Sequence, residues 1–177
     1  MTAPLTERTV IIGNSGCGKS TLAEAIANLA NIPAIDLDRL HWEDGSYGRK
    51  RDEDVARQSV LDISAQPRWI IEGVFGWLAE MALPRATSLI WLDLPWSVCR
   101  DGLLRGATDH DAAELMNWAE AYWTRQTPSS FAGHLGMFDA FSGTKLRLES
   151  REQIARLLEN LRADMSNTDL RPQAPPR

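Results

Sequence analysis

The chain has 177 residues, of which 44% are apolar and 24% are charged. These proportions fit a globular domain and exclude a disordered chain. Acidic residues outnumber basic ones by 24 to 19 without a basic stripe, which argues against nucleic acid as a partner. No apolar run approaches the roughly 20 residues that span a bilayer, and no signal segment is visible, so we expect a cytoplasmic protein without a membrane anchor. Two cysteines, Cys17 and Cys99, are expected to be free thiols.

Short apolar runs alternate with longer amphipathic segments along the chain. The apolar runs predict buried strands over residues 9–12, 34–37, 69–71, 89–94 and 145–148. The segments with helical spacing predict helices over residues 19–30, 52–65, 96–104, 114–125 and 151–165. This alternation predicts an α/β fold, a three-layer sandwich in which helices cover both faces of a five-stranded parallel sheet.

Two further segments are defined by composition. The polar residues 43–51 include two glycines and predict a mobile connection. Asp52 then predicts a helix N-cap, and the apolar face of that helix is expected to hold Val55, Val60, Leu61 and Ile63. We expect one domain over residues 1–165 and a disordered, proline-containing tail over residues 166–177.

The strongest motif is the phosphate-binding loop GxxxxGKS at residues 13–20, placed between a predicted strand and a predicted helix. Glycines let successive N–H groups point at a phosphate, and the helix N-terminus adds partial positive charge. Lys19 supplies a cation for the β- and γ-phosphates, and the Ser20 hydroxyl is a ligand for Mg²⁺. The motif predicts ATP, with GTP as the alternative. The predicted nucleotide-binding residues are Gly13, Asn14, Ser15, Gly16, Cys17, Gly18, Lys19, Ser20 and Thr21.

Acidic side chains follow three of the predicted strands. Ligands of parallel sheets bind beyond the carboxyl ends of the strands, so we expect Asp36, Asp38, Glu72 and Asp93 to lie near Lys19. Asp36 and Glu72 are candidates for the hydrated Mg²⁺, and Asp38 for orienting or deprotonating an acceptor hydroxyl. Each carboxylate is also explained as a surface acid or a turn cap, and both explanations stay open.

Several basic residues could neutralise a transferring phosphate, although each is also explained as a solvated surface charge: Arg39, Arg49, Arg85, Arg100, Arg105 and Arg125. We assign Arg100 and Arg105 to catalysis with Lys19 and Asp38. We assign Arg85 and Trp42 to acceptor binding together with Asp38, because Trp42 follows Asp38 by four residues in the predicted crevice loop.

Four sequence features carry a resemblance to a known family: IDLDRLHW at residues 35–42, WIIEGVF at 69–75, RATSLIWLDLP at 85–95, and Cys99. With the phosphate-binding loop, they resemble the adenylate-kinase-related small kinases, most closely the group labelled DNA topology modulation proteins (FlaR-like). The resemblance covers roughly residues 10–161. It implies a nucleoside monophosphate kinase or shikimate kinase-like fold. It also implies ATP-dependent transfer to a small-molecule acceptor, either a nucleoside monophosphate or a small hydroxyl compound.

The chain departs from these kinases after Pro95. Such kinases carry arginines seven and eleven residues after this proline, where Gly102 and Gly106 stand here, and the lid candidate at residues 106–114 contains no arginine. The departure favours a second hypothesis, a nucleotide-dependent regulatory or partner-binding protein with weak ATP hydrolysis. A dedicated hydrolase or a kinase for a macromolecule is a third. The sequence leaves the acceptor open, and it leaves open whether the protein is a monomer or a homodimer.

Overall fold

The computed structural model describes residues 3–43, 48–106 and 112–169. Five parallel strands form one sheet in the order β2-β3-β1-β4-β5. The strands are β1 Arg8–Gly13, β2 Ala34–Asp36, β3 Trp69–Gly73, β4 Ser88–Leu92 and β5 Thr144–Leu148. The predicted fold class, a parallel sheet of five strands between helical layers, is confirmed.

The helices cover both faces of this sheet. They are α1 Lys19–Ala30, α2 Leu37–His41, α3 Glu53–Ser64, α4 Gly76–Ala82, α5 Trp96–Gly106, α6 Ala112–Glu120, α7 Phe131–Ala140 and α8 Arg151–Asp169. Short 3₁₀ segments lie at Ala3–Thr6, Leu83–Arg85 and Ala121–Trp123. Among the described residues, no helix is long and apolar enough to cross a bilayer.

Alternation along the central strand builds two apolar cores. Ile11 of β1 points to one face, where it joins Ile26 of α1 and Leu161 of α8. Val10 and Ile12 point to the other face, where they pack against residues of α3, α4 and α7. Because successive side chains of a strand point to opposite faces, a strand buried on both sides needs an unbroken apolar run. That requirement explains why β1, β3 and β4 could be predicted from short apolar segments.

Three predicted elements differ from the structure. Leu37 was assigned to strand β2, but it begins α2, because Asp36 caps a helix at that point. In α3 the predicted face is partly wrong: Val55 is 51% and Leu61 is 42% exposed. Buried positions of α3 are Ala56, Val60 and Ser64. The last helix continues to Asp169, so the predicted start of the tail at residue 166 is too early. Residues 170–177 lie outside the described part of the chain.

The two ends of the predicted mobile connection lie side by side. Trp42 and Lys50 form an antiparallel bridge. The Glu43 N–H donates to the carbonyl of Arg49 at 2.9 Å, and the Arg51 N–H donates to the carbonyl of His41 at 2.8 Å. These bonds close the base of the connection, whose residues 44–47 lie outside the described residues.

Candidate nucleotide-binding site

The loop between β1 and α1 is shaped by glycines in the left-handed region. Gly16 has φ +77° and Gly18 has φ +97°. A Cβ on Gly16 would lie 2.1 Å from the carbonyl oxygen of Cys99, and one on Gly18 would lie 2.6 Å from Nη1 of Arg151. Only glycine fits the conformation and the space at these two positions.

Helix α1 begins without a capping side chain, since Gly18 is its N-cap residue. The first N–H groups of a helix lack intrahelical partners, and together with the helix dipole they attract an anion. The N-terminus of α1 is therefore suited to bind a phosphate group of a nucleotide.

Lys19 is the cation of this loop. It is 8% exposed, and its Nζ donates to the carbonyl of Asn14 at 2.9 Å. Burial alone would lower the pKa of Lys19, but the acidic groups of Cys17, Glu72 and Asp38 outweigh burial and raise it. Lys19 therefore stays protonated at neutral pH and can neutralise phosphate charge.

Ser20 and Glu72 form a pair at the start of α1. The Ser20 hydroxyl donates to Oε1 of Glu72 at 2.7 Å, and Glu72 is 3% exposed near the end of β3. Burial raises the pKa of Glu72, although Lys19 and Ser20 oppose the shift. Among the described residues, no three side chains of His, Cys, Asp or Glu are grouped to hold a metal. Mg²⁺ usually takes one or two protein oxygens together with phosphates and water, and the Ser20–Glu72 pair fits that mode.

Asp36 and Asp38 were both expected at the end of the second strand, which is right for Asp36 and wrong for Asp38. Asp36 ends β2 and caps α2, where its Oδ1 accepts the N–H of Asp38 at 2.8 Å. Asp38 therefore belongs to the first helical turn. Burial in the crevice, followed by the charge of Asp36, raises the pKa of the Asp38 carboxyl to about 6, against the opposing effect of Lys19. Protein atoms surround the carboxyl, yet the Asp38 residue is exposed to solvent.

A cavity of about 320 Å³ lies beside this acidic group. It runs between α1, β2 and α2 and is lined by Ser20, Asp36, Arg39, Leu40 and Glu72, among other residues. Lys19 interacts electrostatically with Asp38 and Glu72, and Asp36 interacts with both of these carboxyls, so the structure brings together Lys19 and three of the four predicted carboxylates.

The remaining carboxylate has another partner. Asp93 follows β4 and accepts hydrogen bonds from Arg147 of β5, from Nε at 2.9 Å and from Nη2 at 2.5 Å. Asp93 is therefore engaged in a pair between two strands and is not part of the cluster around Lys19.

Several predicted arginines lie away from the phosphate-binding loop. Arg85 precedes β4, at the amino-terminal edge of the sheet, and its assignment to acceptor binding is wrong because the loop after Gly13 lies at the opposite edge. Arg100 and Arg105 are exposed on α5, and Arg100 lies 3.9 Å from Asp101. Among the described residues neither contacts the loop, and their catalytic role stays a prediction.

Trp42 belongs to a cluster of rings that we call the aromatic wall: His41, Trp42, Phe75 and Trp118. His41 stacks on Phe75 at 3.9 Å between centroids, and Trp42 meets His41 edge-on at 4.4 Å. Trp118 of α6 lies 6.3 Å from Phe75. Trp42, Phe75 and Trp118 are half-buried. Only Trp42 was predicted as a wall of the acceptor site, because the contacts with Phe75 and Trp118 depend on the tertiary fold.

Side-chain contacts of Asn14 and Arg151 hold the loop, and the sequence indicated neither set of contacts. The Asn14 side chain donates to the carbonyl of Ala119 at 2.8 Å and accepts the N–H of Ser15 at 2.8 Å. Arg151, the first residue of α8, donates to the carbonyl of Cys17 at 2.9 Å. Asn14 stands at a variable position of the motif, and Arg151 is more than a hundred residues away, so no local pattern indicates either contact.

Comparison with known proteins identifies relatives at the level of family and fold. The model of the family described as ABC transporter matches residues 1–173. A crystal structure of a gluconokinase from Sinorhizobium meliloti 1021 is similar with a TM-score of 0.57 and 18% identity, covering 92% of this chain and 93% of that one. Shikimate kinase from Acinetobacter baumannii in complex with shikimate is similar with a TM-score of 0.55 and 12% identity, covering 95% and 97%. At these identities the likeness shows the fold alone. No curated protein sequence matches significantly.

Proposed function

The chain belongs to the P-loop NTPase family described as ABC transporter, and we propose that it is a Mg²⁺-dependent ATP phosphotransferase for a small-molecule acceptor. One observation carries the proposal: Lys19, the Ser20–Glu72 pair and Asp38 meet at one edge of the sheet. The kinase folds found by comparison support it. Family and fold do not name an acceptor, so the proposal depends on the site.

The phosphate side of the site follows from the loop. The N–H groups at the start of α1 and the charge of Lys19 bind the phosphates of ATP. Ser20, Glu72 and the second carboxylate oxygen of Asp36 would hold hydrated Mg²⁺, which would supply positive charge beside the phosphates.

Asp38 is the residue proposed to act on the hydroxyl of the acceptor. Its carboxylate accepts the proton of the acceptor hydroxyl, while the hydroxyl oxygen bonds to the transferred phosphorus and the bond from that phosphorus to the ADP oxygen breaks. With a pKa of about 6, the Asp38 carboxyl is mostly ionised at neutral pH. A general base works best when its pKa lies near the working pH, so this value suits the role. The acceptor is a nucleoside monophosphate or a small hydroxyl compound.

A panel of such acceptors, each mixed with ATP and Mg²⁺, tests the proposal. ADP release should rise with at least one acceptor and remain low without any, and the phosphorylated acceptor should appear in equal amount. If ATP binds but no acceptor increases ADP release over the basal rate, the phosphotransferase proposal fails.

A second candidate function is a nucleotide-dependent regulatory protein with weak hydrolysis. The observation that favours it concerns Gly102, where a Cβ would lie 2.0 Å from the carbonyl oxygen of Gly16. Helix α5 thus approaches the loop too closely to place an arginine at this position. Capture of a partner that depends on bound nucleotide, without acceptor-stimulated ADP release, would support this candidate.

A further inference from the structure

Arg125 is held in a fixed orientation after α6. Its Nη1 donates to the carbonyl of Trp118 at 2.7 Å and its Nη2 to the carbonyl of Ser129 at 3.2 Å. The guanidinium carbon also lies 3.9 Å from the centroid of the Trp118 ring. Two carbonyls and a ring face therefore orient the guanidinium plane, and its other N–H groups have no acceptor among the described residues.

The charge of Arg125 has no carboxylate partner within residues 3–43, 48–106 and 112–169. Other arginines of this chain are paired: Arg147 with Asp93, and Arg57 with Glu53. Burial lowers the pKa of Arg125, yet a guanidinium stays protonated in proteins. A partly desolvated cation without a counter-charge is costly unless an anion joins it.

Arg125 lies beside the proposed site. The end of α6 is bound to the phosphate-binding loop through Asn14, which donates to Ala119 next to Trp118. The segment after Arg125 is bound to the turn after β3, because the N–H of Gly76 donates to Oγ of Ser129 at 3.1 Å.

His134 also places the two cations close together. The pKa of His134 is lowered to about 3, mainly by burial, which a hydrogen bond to the carbonyl of Val74 opposes; the positive charges of Lys19 and Arg125 contribute to the lowering. Lys19 and Arg125 therefore lie close enough to act on one ring.

We propose that Arg125 binds an oxyanion of the acceptor, so that the substrates of this site are anionic small molecules bearing a carboxylate or a phosphate. This inference rests on the proposed function and defines its substrate class. The remaining N–H groups of the guanidinium form a fork that matches either oxyanion. The body of the acceptor packs on Trp118 and Phe75, and its hydroxyl faces Asp38.

The test uses the full chain with its phosphate-binding loop saturated by Mg²⁺ and a non-hydrolysable ATP analogue. Inorganic phosphate and acetate are then titrated separately at constant ionic strength, with chloride as the neutralising salt, and the indole N–H signal of Trp118 is followed by NMR. We expect a saturable shift with at least one anion, and comparison of the two distinguishes phosphate from carboxylate binding. Arg125→Met should weaken that binding by roughly 10- to 100-fold, as expected for lost hydrogen bonds to a charged group.

Arg57→Met is the matched control, because the Arg57 guanidinium also lies over a tryptophan, 5.0 Å from the ring centroid of Trp77. It should bind the anions like the wild type. Arg125→Lys keeps the charge without the fork, so it should bind more weakly than the wild type even if Arg125→Met does not fold. Absence of any saturable shift in the wild type, or equal shifts in the wild type and a folded Arg125 variant, overturns the proposal. If anion binding requires Arg125 but no acceptor increases ADP release, the anion site is supported and the phosphotransferase proposal is rejected.

Discussion

The single positive charge of Lys19 lies among several carboxyl groups and cannot neutralise all of them. Asp38 and Glu72 act on its charge, and Asp36 lies near both of them. Adding a nucleotide brings further negative charge into this neighbourhood, so Lys19 alone does not compensate it. A divalent cation at the Ser20–Glu72 pair would supply the missing charge, which makes strong dependence on Mg²⁺ an expected property of the site.

Ser20→Ala should shift the Mg²⁺ requirement. The variant removes the hydroxyl expected to ligate the ion and leaves Glu72 without its 2.7 Å hydrogen bond. Half-maximal activity should then need more Mg²⁺, while nucleotide affinity without the metal changes little. Ser59→Ala, on the exposed surface of α3, is the control and should titrate like the wild type. An unchanged Mg²⁺ titration for Ser20→Ala counts against the ligand role.

Asp38→Asn should lower acceptor-dependent turnover by roughly 10²- to 10⁴-fold, the usual contribution of a general base, with ATP affinity almost unchanged. In the wild type, the rate at limiting acceptor should fall as the pH drops below about 6, where Asp38 becomes protonated. The variant should lack that acid limb. Asp36→Asn should act through the metal instead, and excess Mg²⁺ should partly restore it. Wild-type turnover by Asp38→Asn would make Asp38 only a surface acid.

The same carboxylate should lower stability at neutral pH. A folded-state pKa raised to about 6 means that Asp38 contributes stability at low pH, which is lost as the pH rises through 6. Asp38→Asn cannot ionise, so its urea midpoint relative to the wild type should increase between pH 4.5 and pH 7.5. A constant difference for Asp38→Asn would contradict the raised pKa.

At the scale of elements, α5 packs backbone to backbone against the phosphate-binding loop. Gly102 contacts Gly16, and Gly16 contacts the carbonyl of Cys99 and the side chain of Leu103. Gly102 and Gly106, where the sequence resemblance leads one to expect arginines, therefore differ, because a Cβ at Gly106 would meet nothing within 4 Å among the described residues. One glycine is required by packing, and the other is not.

Alanine substitution should separate these two glycines. Gly102→Ala forces α5 away from the loop and should destabilise the fold by about 1–3 kcal/mol, as overpacking does, with a loss of nucleotide affinity. Gly106→Ala should change stability by no more than about 1 kcal/mol, in the stabilising direction if helix propensity decides. Denaturant unfolding and nucleotide titration of both variants provide the measurement. Equal stability of the two variants would refute the close approach of α5.

The elements that the sequence did not predict have a common physical cause. Helix α7 contains Gly133 and Gly136, which are poor helix formers, and it depends on the Ser130 cap and on packing against the sheet. Helix α4 is only seven residues long, and four of them are buried, so it shows no amphipathic period. Local sequence signals do not indicate elements that tertiary contacts stabilise.

The candidate site divides in the same way. The phosphate-binding loop was predictable because contiguous residues determine its backbone geometry, with glycine at the positions that have positive φ. The acidic group was predictable in part, because parallel strands end at one edge of the sheet. Arg151 and the ring of Trp118 were not predictable, since each reaches the site from a segment far along the chain.

At the scale of the whole molecule, the loop joins two cores that share one sheet, so nucleotide binding should stabilise the entire fold. A ligand at a hundred times its dissociation constant adds about 2.7 kcal/mol when it binds only the folded state. For a chain of this size, that corresponds to a Tm increase of roughly 5–10 °C.

Lys19→Ala should remove most of this increase while melting near the wild-type temperature without nucleotide, because the Lys19 Nζ bonds only the carbonyl of Asn14 among the described residues. Calorimetric scans with and without Mg²⁺-ATP, together with titration of ATP into both proteins, measure the two effects separately. Mg²⁺ alone should leave both melting temperatures nearly unchanged, since much of its coordination comes from the phosphates. Equal ATP affinity and equal stabilisation in the two proteins would show that residues 13–20 do not form the nucleotide site.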